Sequence, residues 1–476
     1  MPRWLTCVVL VLGFVLGITA DARADGVLHN SFGIPRADDG RGLKVGERAT
    51  FHAGFALGTG VDTNVYSNAR RERKVASAFL WPSAWLGIGN RELRDGLLMS
   101  PPERSGRWID YNISTLGGFR QYLARSADTR SVPKFSIGVQ LRLTLLPGRR
   151  FSTQLDADYF RGAAAGNYQD DGRVFNFNRH DARARLMFTL RPGGGRLSFG
   201  VGGRVQFLRF DGDSLFKSNR VVPGLVHETK WRFLPRSAVV LSYTMDFSYY
   251  TDCCTETDRG RNEDNFAHRL LVGYRGQVVD KLALDAMVGW GGAFYRQDKN
   301  GPDFNSVIGH VSVNYFPTLR SVVSLSLTRN YQDSLFGNFF IDNGVQLALG
   351  HQFRWRMIGH LGASVAARRV RGLPVPQETP TGENYVDPET ADINNYDGRG
   401  ADTNERRTTI VGLSAKLEQP LGKILALSLG YNMYADTRPY GVSYIIRDPA
   451  TGEEALQRDD ISFTRHIVTL IFAVRI

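Results

Sequence analysis

Over residues 135–145, Phe135, Ile137, Val139, Leu141, Leu143 and Leu145 alternate with Ser136, Gly138, Gln140, Arg142 and Thr144. A strand points successive side chains to opposite faces, so a period of two predicts one apolar face and one wet face. The alternation returns over 239–249, 323–328 and 425–433, and it runs to the last residue through Val468, Leu470, Phe472, Val474 and Ile476. A soluble β-sandwich also alternates, but the connections separate the two cases. Tight Gly/Pro/Asp punctuation at 147–149, 192–195, 234–237, 278–281, 317–320 and 421–423 takes turns with long polar links at 162–178, 251–264, 371–405 and 435–459. Short on one side and long on the other is the asymmetry of a membrane-spanning barrel.

The pattern predicts strands over 48–58, 76–88, 108–124, 134–146, 151–162, 180–191, 196–210, 220–233 and 238–250. It predicts nine more over 265–277, 282–296, 305–316, 321–332, 339–354, 357–371, 406–419, 424–435 and 461–476. The expected fold is all-β: a transmembrane antiparallel up-and-down β-barrel of about 18 strands, with short periplasmic turns and long extracellular loops. The even count puts both chain ends and every tight turn on the periplasmic side, where 89–106 is the single long link. Trp85, Trp108, Trp231 and Trp355 fall near the periplasmic strand ends, and Tyr159, Tyr249, Tyr250, Tyr331 and Tyr434 near the outer ends, as two interfacial aromatic belts would require. Before the barrel, a positive Met1–Arg3, an apolar Trp4–Ile18 and Ala22-Arg23-Ala24 read as a signal peptide, 1–24. Residues 25–47 are then a short periplasmic segment and 48–476 the barrel, which places the protein in the bacterial outer membrane against lipid.

Composition adjusts this picture at three points. A chain of 476 residues suggests several soluble domains, yet one closed sheet uses the whole length. A hydrophobic share of 42% excludes disorder, and three cysteines exclude a disulfide-built scaffold. The formal charge is +12, and strand parity puts much of the basic excess inside. With Phe135, Ile137, Leu186, Phe188, Leu241 and Leu325 facing lipid, the lumen receives Arg142, Arg183, Arg185, Arg204, Lys230 and Arg232. It also receives Arg269, Arg275, Arg368, Lys416 and Arg465, against Asp156, Asp158, Asp181, Glu228, Asp246, Asp285 and Glu418. Basic groups on a low-dielectric wall concentrate anions, so these residues are the expected anion path; Arg–Asp ladders that stiffen the wall are the alternative for any one of them.

Eighteen strands are too many for side chains to fill the interior, which implies an aqueous channel. The segment 25–47 is too short for a plug domain, and no periplasmic repeats or passenger of the kind that mark other large barrels are expected. The first expectation is passage or export of an anionic polysaccharide, with that polymer and periplasmic export proteins as partners. A general or solute-specific uptake porin is the alternative, and a structural or adhesion barrel working through its loops is a third class. Enzyme motifs are absent: there is no Gly-x-Ser-x-Gly and no His-Glu-x-x-His. His310 and Ser312 resemble the His-x-Ser of lipid-cleaving barrels, but parity points them into the lumen. The loop 371–405 carries eight carboxylates without a calcium-loop spacing; it could fold inward and narrow the pore. Cys253 and Cys254 are adjacent in an outer loop, as free thiols or a vicinal disulfide. No cofactor, metal or nucleic-acid partner is expected.

Gly60, Val61, Asp62, Thr63, Asn64, Val65 and Tyr66, followed by Leu80, Trp81 and Pro82, resemble the opening of the β-barrel porin type 2 family. That resemblance implies an outer-membrane barrel associated with exopolysaccharide production. For Asp62 and Asn64 themselves, turn capping is the expected role. Size and basic lumen are also similar to the alginate-export channel, without a shared motif.

Overall fold

The computed structural model describes residues 42–46, 49–65, 74–90, 108–124, 135–162, 165–170, 173–176, 179–211, 219–251, 264–296, 303–333, 338–371, 405–437, 441–447, 454–460 and 463–476. The expected signal peptide, Tyr66, Cys253, Cys254 and nearly all of 371–405 lie outside them.

Eighteen strands form one closed antiparallel sheet. The first six are β1 (Ala49–Asp62), β2 (Ser77–Gly89), β3 (Ile109–Phe119), β4 (Phe135–Leu145), β5 (Phe151–Gly162) and β6 (Arg179–Leu190). Next come β7 (Leu197–Phe210), β8 (Arg220–Leu234), β9 (Ser237–Tyr250), β10 (Asn265–Val279), β11 (Leu282–Tyr295) and β12 (Phe304–Thr318). The last six are β13 (Ser321–Asp333), β14 (Phe339–Gln352), β15 (Ile358–Arg371), β16 (Glu405–Leu421), β17 (Leu425–Asp436) and β18 (Phe463–Arg475). Each strand pairs with its sequence neighbours, and β18 closes the ring onto β1, from Gly54 opposite Arg475 to Asp62 opposite Ile467. Hairpins Ala165–Asp170/Arg173–Asn176 and Gly441–Arg447/Glu454–Asp460 pair apart from the barrel.

The strand count and nearly all boundaries match the periodicity because each strand has one face in lipid. β1 is the main difference: it runs to Asp62 rather than 58, so Gly60 and Asp62 sit on the strand and not in the loop beyond it. Its glycines are required by close packing. A Cβ at Gly54 would enter the Trp85 indole, and one at Gly60 would sit 2.7 Å from the Phe79 ring. Large aromatic side chains of β2 therefore lie flat on the inner face of β1. On β2, Pro82 has no N–H to give. The β2–β3 ladder accordingly stops at Ser83 opposite Gly118 and resumes at Leu80 opposite Gln121, in the short continuation Gln121–Tyr122. In the gap the Arg120 guanidinium stands over Phe79 and Trp81, 4.9 and 4.7 Å from their centroids.

The outer face is exposed and apolar around the ring, from Leu57 and Leu86 through Val201, Leu225, Val272 and Val307 to Leu361 and Phe472. Among the described residues no helix is long and apolar enough to cross a membrane; strands do the crossing. A closed barrel leaves no backbone group unpaired in hydrocarbon. With tight turns gathered on the side of both chain ends, the chain is an outer-membrane barrel. The aromatic belts are thinner than expected. Trp108, Trp231, Trp355 and Tyr249 are exposed, whereas Trp85, Tyr250, Tyr331 and Tyr434 are buried. Trp85 takes the lumenal register of β2, where the glycines of β1 make room for it.

Candidate functional site

The inner wall carries the candidate chemistry. All ten basic residues expected to line the anion path share the inward register, since their strand neighbours Leu141, Leu143, Leu186, Val205, Trp231, Leu270, Tyr274, Ala367 and Leu417 face out. Eight of the ten form an ion pair with a carboxylate, four of them on an adjacent strand. Arg142 donates to Asp156 at 2.7 Å, Arg275 to Asp285 at 2.8 Å, and Arg368 holds Asp342 with two bonds of 2.8 Å. Within single strands, Lys230 meets Glu228 at 2.7 Å and Arg183 meets Asp181, which also accepts from Gln206 at 2.8 Å. The ladder between neighbouring strands thus holds for Arg142, Arg275 and Arg368, whereas Lys230 and Arg183 are paired along their own strands. Half-exposed pairs of this kind contribute little stability, and mainly they fix side-chain geometry.

Two carboxylates serve two cations each. Arg204 on β7 reaches over β8 to Asp246 on β9, with Nε donating at 2.7 Å, and Arg269 on β10 donates to the same carboxylate at 3.1 Å. Gly224 of β8 lies opposite both Arg204 and Asp246. A Cβ there would collide with Asp246 and with the Met245 carbonyl at 2.6 Å, so the glycine is what lets the guanidinium pass. Near the periplasmic end, Glu418 takes Lys416 at 3.1 Å and Arg475 at 2.9 Å. Arg185 and Arg232 form no ion pair among the described residues, although Arg185 is close enough to Glu228 to act on it electrostatically. The wall from β4 to β11 therefore holds more positive than negative charge. From β12 to β16 it is lined largely by small neutral groups such as Asn314, Ser324, Ser326, Gln346, Ser364 and Ser414.

The family-like motif has a different place. Asp62 is fully buried and accepts from Arg465 of β18, through Nε at 3.0 Å and a terminal nitrogen at 2.5 Å. It also accepts from Tyr122 Oη at 3.3 Å and from the Asn64 backbone N–H at 3.1 Å, a local cap. Asn64 donates to the Thr464 carbonyl at 3.2 Å. These bonds join the first strand to the last. Pro82 breaks a ladder, as described, and none of these residues faces the charged wall of β4–β11.

The extracellular end of β13 is the feature that sequence reading missed. Pairing with β12 ends at Gly309 opposite Arg329, although β12 continues out to Phe304. Beyond that point β13 slides inside the wall. Tyr331 is fully buried; its ring stacks on Phe304 with centroids 4.0 Å apart, and its hydroxyl donates to the Gly292 carbonyl at 3.0 Å. Arg269 covers the same ring at 4.4 Å. Asp333 accepts from Ser248 at 3.0 Å and Asn265 at 3.2 Å, on the inner faces of β9 and β10. Phe339 at the start of β14 follows, packing on Tyr295 and Phe304. Arg329 closes the split: Nε donates to the Val307 carbonyl at 3.0 Å, a group that lost its strand partner. The end of β13 thus lies inside the barrel wall at its outer end. Its signal in the sequence is Asp333, a carboxylate in the register of the lipid-facing Leu325 and Leu327, where charge is costly.

His310 and Ser312 face the lumen, as parity predicts, but have separate partners: Asp285 at 3.4 Å and the Ser326 hydroxyl at 3.1 Å. Among the described residues no cluster of His, Cys, Asp and Glu is placed to hold a metal ion. A barrel of eighteen strands is too wide for its side chains to fill, and the chain has the build of a porin-like channel.

No family model matches the chain, and no curated protein matches it. Among solved structures it is similar to OccK9 (OpdG) of Pseudomonas aeruginosa, at 11% identity and TM-score 0.44 over 90% of this chain and 98% of that one. It is similar to OccAB4 of Acinetobacter baumannii at 10% and 0.42, over 90% and 99%. A bacterial polysaccharide outer membrane secretin aligns at 9% and 0.31, over 91% and 100%. With similarity this distant, the function rests on the geometry of this chain.

Proposed function

We propose that the barrel is an outer-membrane channel for anionic solutes, and that its cargo is an exported acidic polysaccharide. The observation that carries this reading is the residual positive charge of the β4–β11 wall: Arg185 and Arg232 outside any ion pair among the described residues, and Asp246 shared between Arg204 and Arg269. Such charge on a low-dielectric wall attracts anions and repels cations along the path. In a planar bilayer under a potassium chloride gradient, the reversal potential is expected to lie on the chloride side, and to move toward zero in the Arg185→Gln/Arg232→Gln variant. Cation preference in the parent would sink the proposal. Deleting the protein is expected to abolish polymer secretion while small-solute uptake persists.

One observation favours a second reading. The end of β13 folded inside the barrel, beyond a wall of hydroxyl and amide groups, suits the filtering of small solutes. Uptake of a small anion that is lost on deletion, with secretion intact, would select it.

A further inference from the structure

Every described tight turn on the side of the chain ends carries a cation. The turns at 146–150, 191–196 and 353–357 hold two arginines each, and those at 235–236, 280–281, 319–320 and 422–424 hold one arginine or lysine each; Asp280 is the single acid among them. All but Arg191 are exposed. None has a carboxylate partner among the described residues, in contrast to the ladders of the lumen. Arg236 reaches only the Gln277 amide at 2.8 Å, and Arg149 rests over the Trp108 ring at 5.7 Å. On the opposite side the longest link, 371–405, has eight carboxylates against two arginines.

Strands about 4.8 Å apart put successive turns about 10 Å from one another. That spacing is close to the Debye length of about 8 Å at physiological salt, so neighbouring cations act on an approaching charge together. A polymer with a charge on each residue meets several of them at once.

We infer that this periplasmic rim is the capture site for the polyanion, which enters the channel from that face faster than from outside. The inference rests on the anion-channel reading and adds a side and a set of residues to it. An anionic phospholipid surface is the competing occupant, since Trp231 and Trp355 are exposed beside the rim. Lipid explains the aromatic groups, but it needs only the outward-facing part of the ring. Cations in every described tight turn, with no acid beside nine of the ten, fit a target that crosses the mouth.

The test uses the full-length barrel, inserted in one orientation into a phosphatidylcholine bilayer, with polygalacturonate oligomers as the probe. At 0.1 M salt, the rate of blocking events is expected to be about tenfold higher from the periplasmic side, converging with the other side at 1 M. The Arg149→Gln/Arg150→Gln/Arg354→Gln/Arg356→Gln variant is expected to lose most of that excess, with heat-modifiable gel mobility confirming the fold. Equal rates from the two sides, or an unchanged rate in the variant, overturn the inference. So does a variant that loses only its retention on phosphatidylglycerol vesicles, which would make the rim a lipid anchor. Chloride preference with symmetric block defeats the rim alone, whereas cation preference defeats the channel reading beneath it.

Discussion

Two residues show how much a single position decides. Asp62 and Arg465 are buried together, and removing one leaves the other charged and unpaired in the wall. Asp62→Ala is expected to destabilise the barrel by about 3–5 kcal/mol, read as a lower temperature at which the heat-modifiable band converts. The Asp62→Asn/Arg465→Met double variant is expected to recover much of that loss, because no charge is then stranded. Gly224→Ala tests the opposite case, the need for empty space. Overpacking of this kind costs about 1–3 kcal/mol, and here it would also unseat Arg204 from Asp246; the same melting measurement checks it. Sequence reading singled out Asp62 and gave it a capping role, which its bond to the Asn64 N–H fits. Its partner Arg465 lies 403 positions away and shares no motif with it. Gly224 carried no signal at all, because its importance lies in a bond between the strands on either side.

Among the elements, the end of β13 departs furthest from a regular barrel. Its docking depends on Tyr331, whose ring fills the space between Phe304 and Arg269. Truncating a buried aromatic costs about 3–5 kcal/mol, and each 1.4 kcal/mol is a tenfold change in an equilibrium. Tyr331→Ala is therefore expected to release the hairpin end, raising single-channel conductance and adding transitions between levels. Conductance identical to that of the parent would mean that the rolled end does not limit the path. The strands were legible because lipid on one face enforces a strict period of two, which turn residues then interrupt. The roll was not legible because sliding a strand inside its neighbour leaves the period untouched. Only the chemistry of the outward register changes, from Leu325 and Leu327 to Arg329 and Asp333. The aromatic belt was overdrawn for a related reason: parity, more than height along a strand, decides whether a tryptophan meets lipid, and Trp85 has lumenal parity.

For the whole molecule, parity sorted the charges by face, while the structure shows which of them cancel. Ladders between adjacent strands follow from register, but Arg204 bonding across an intervening strand does not, and neither does the sharing of Glu418. The seam also has a consequence in time. The bonds that close the cylinder join residues 403 positions apart, so they cannot form until the last strand has been delivered. Until then β1 presents an open edge. Leu43–Val45 folds back on Ala49–Phe51 and covers the part of that edge that β18 never reaches. Contacts of such long range make a slow final step. Seam variants such as Asp62→Ala should therefore accumulate unclosed, protease-sensitive chains during membrane insertion, whereas Gly224→Ala should insert at the parental rate and fail only on heating.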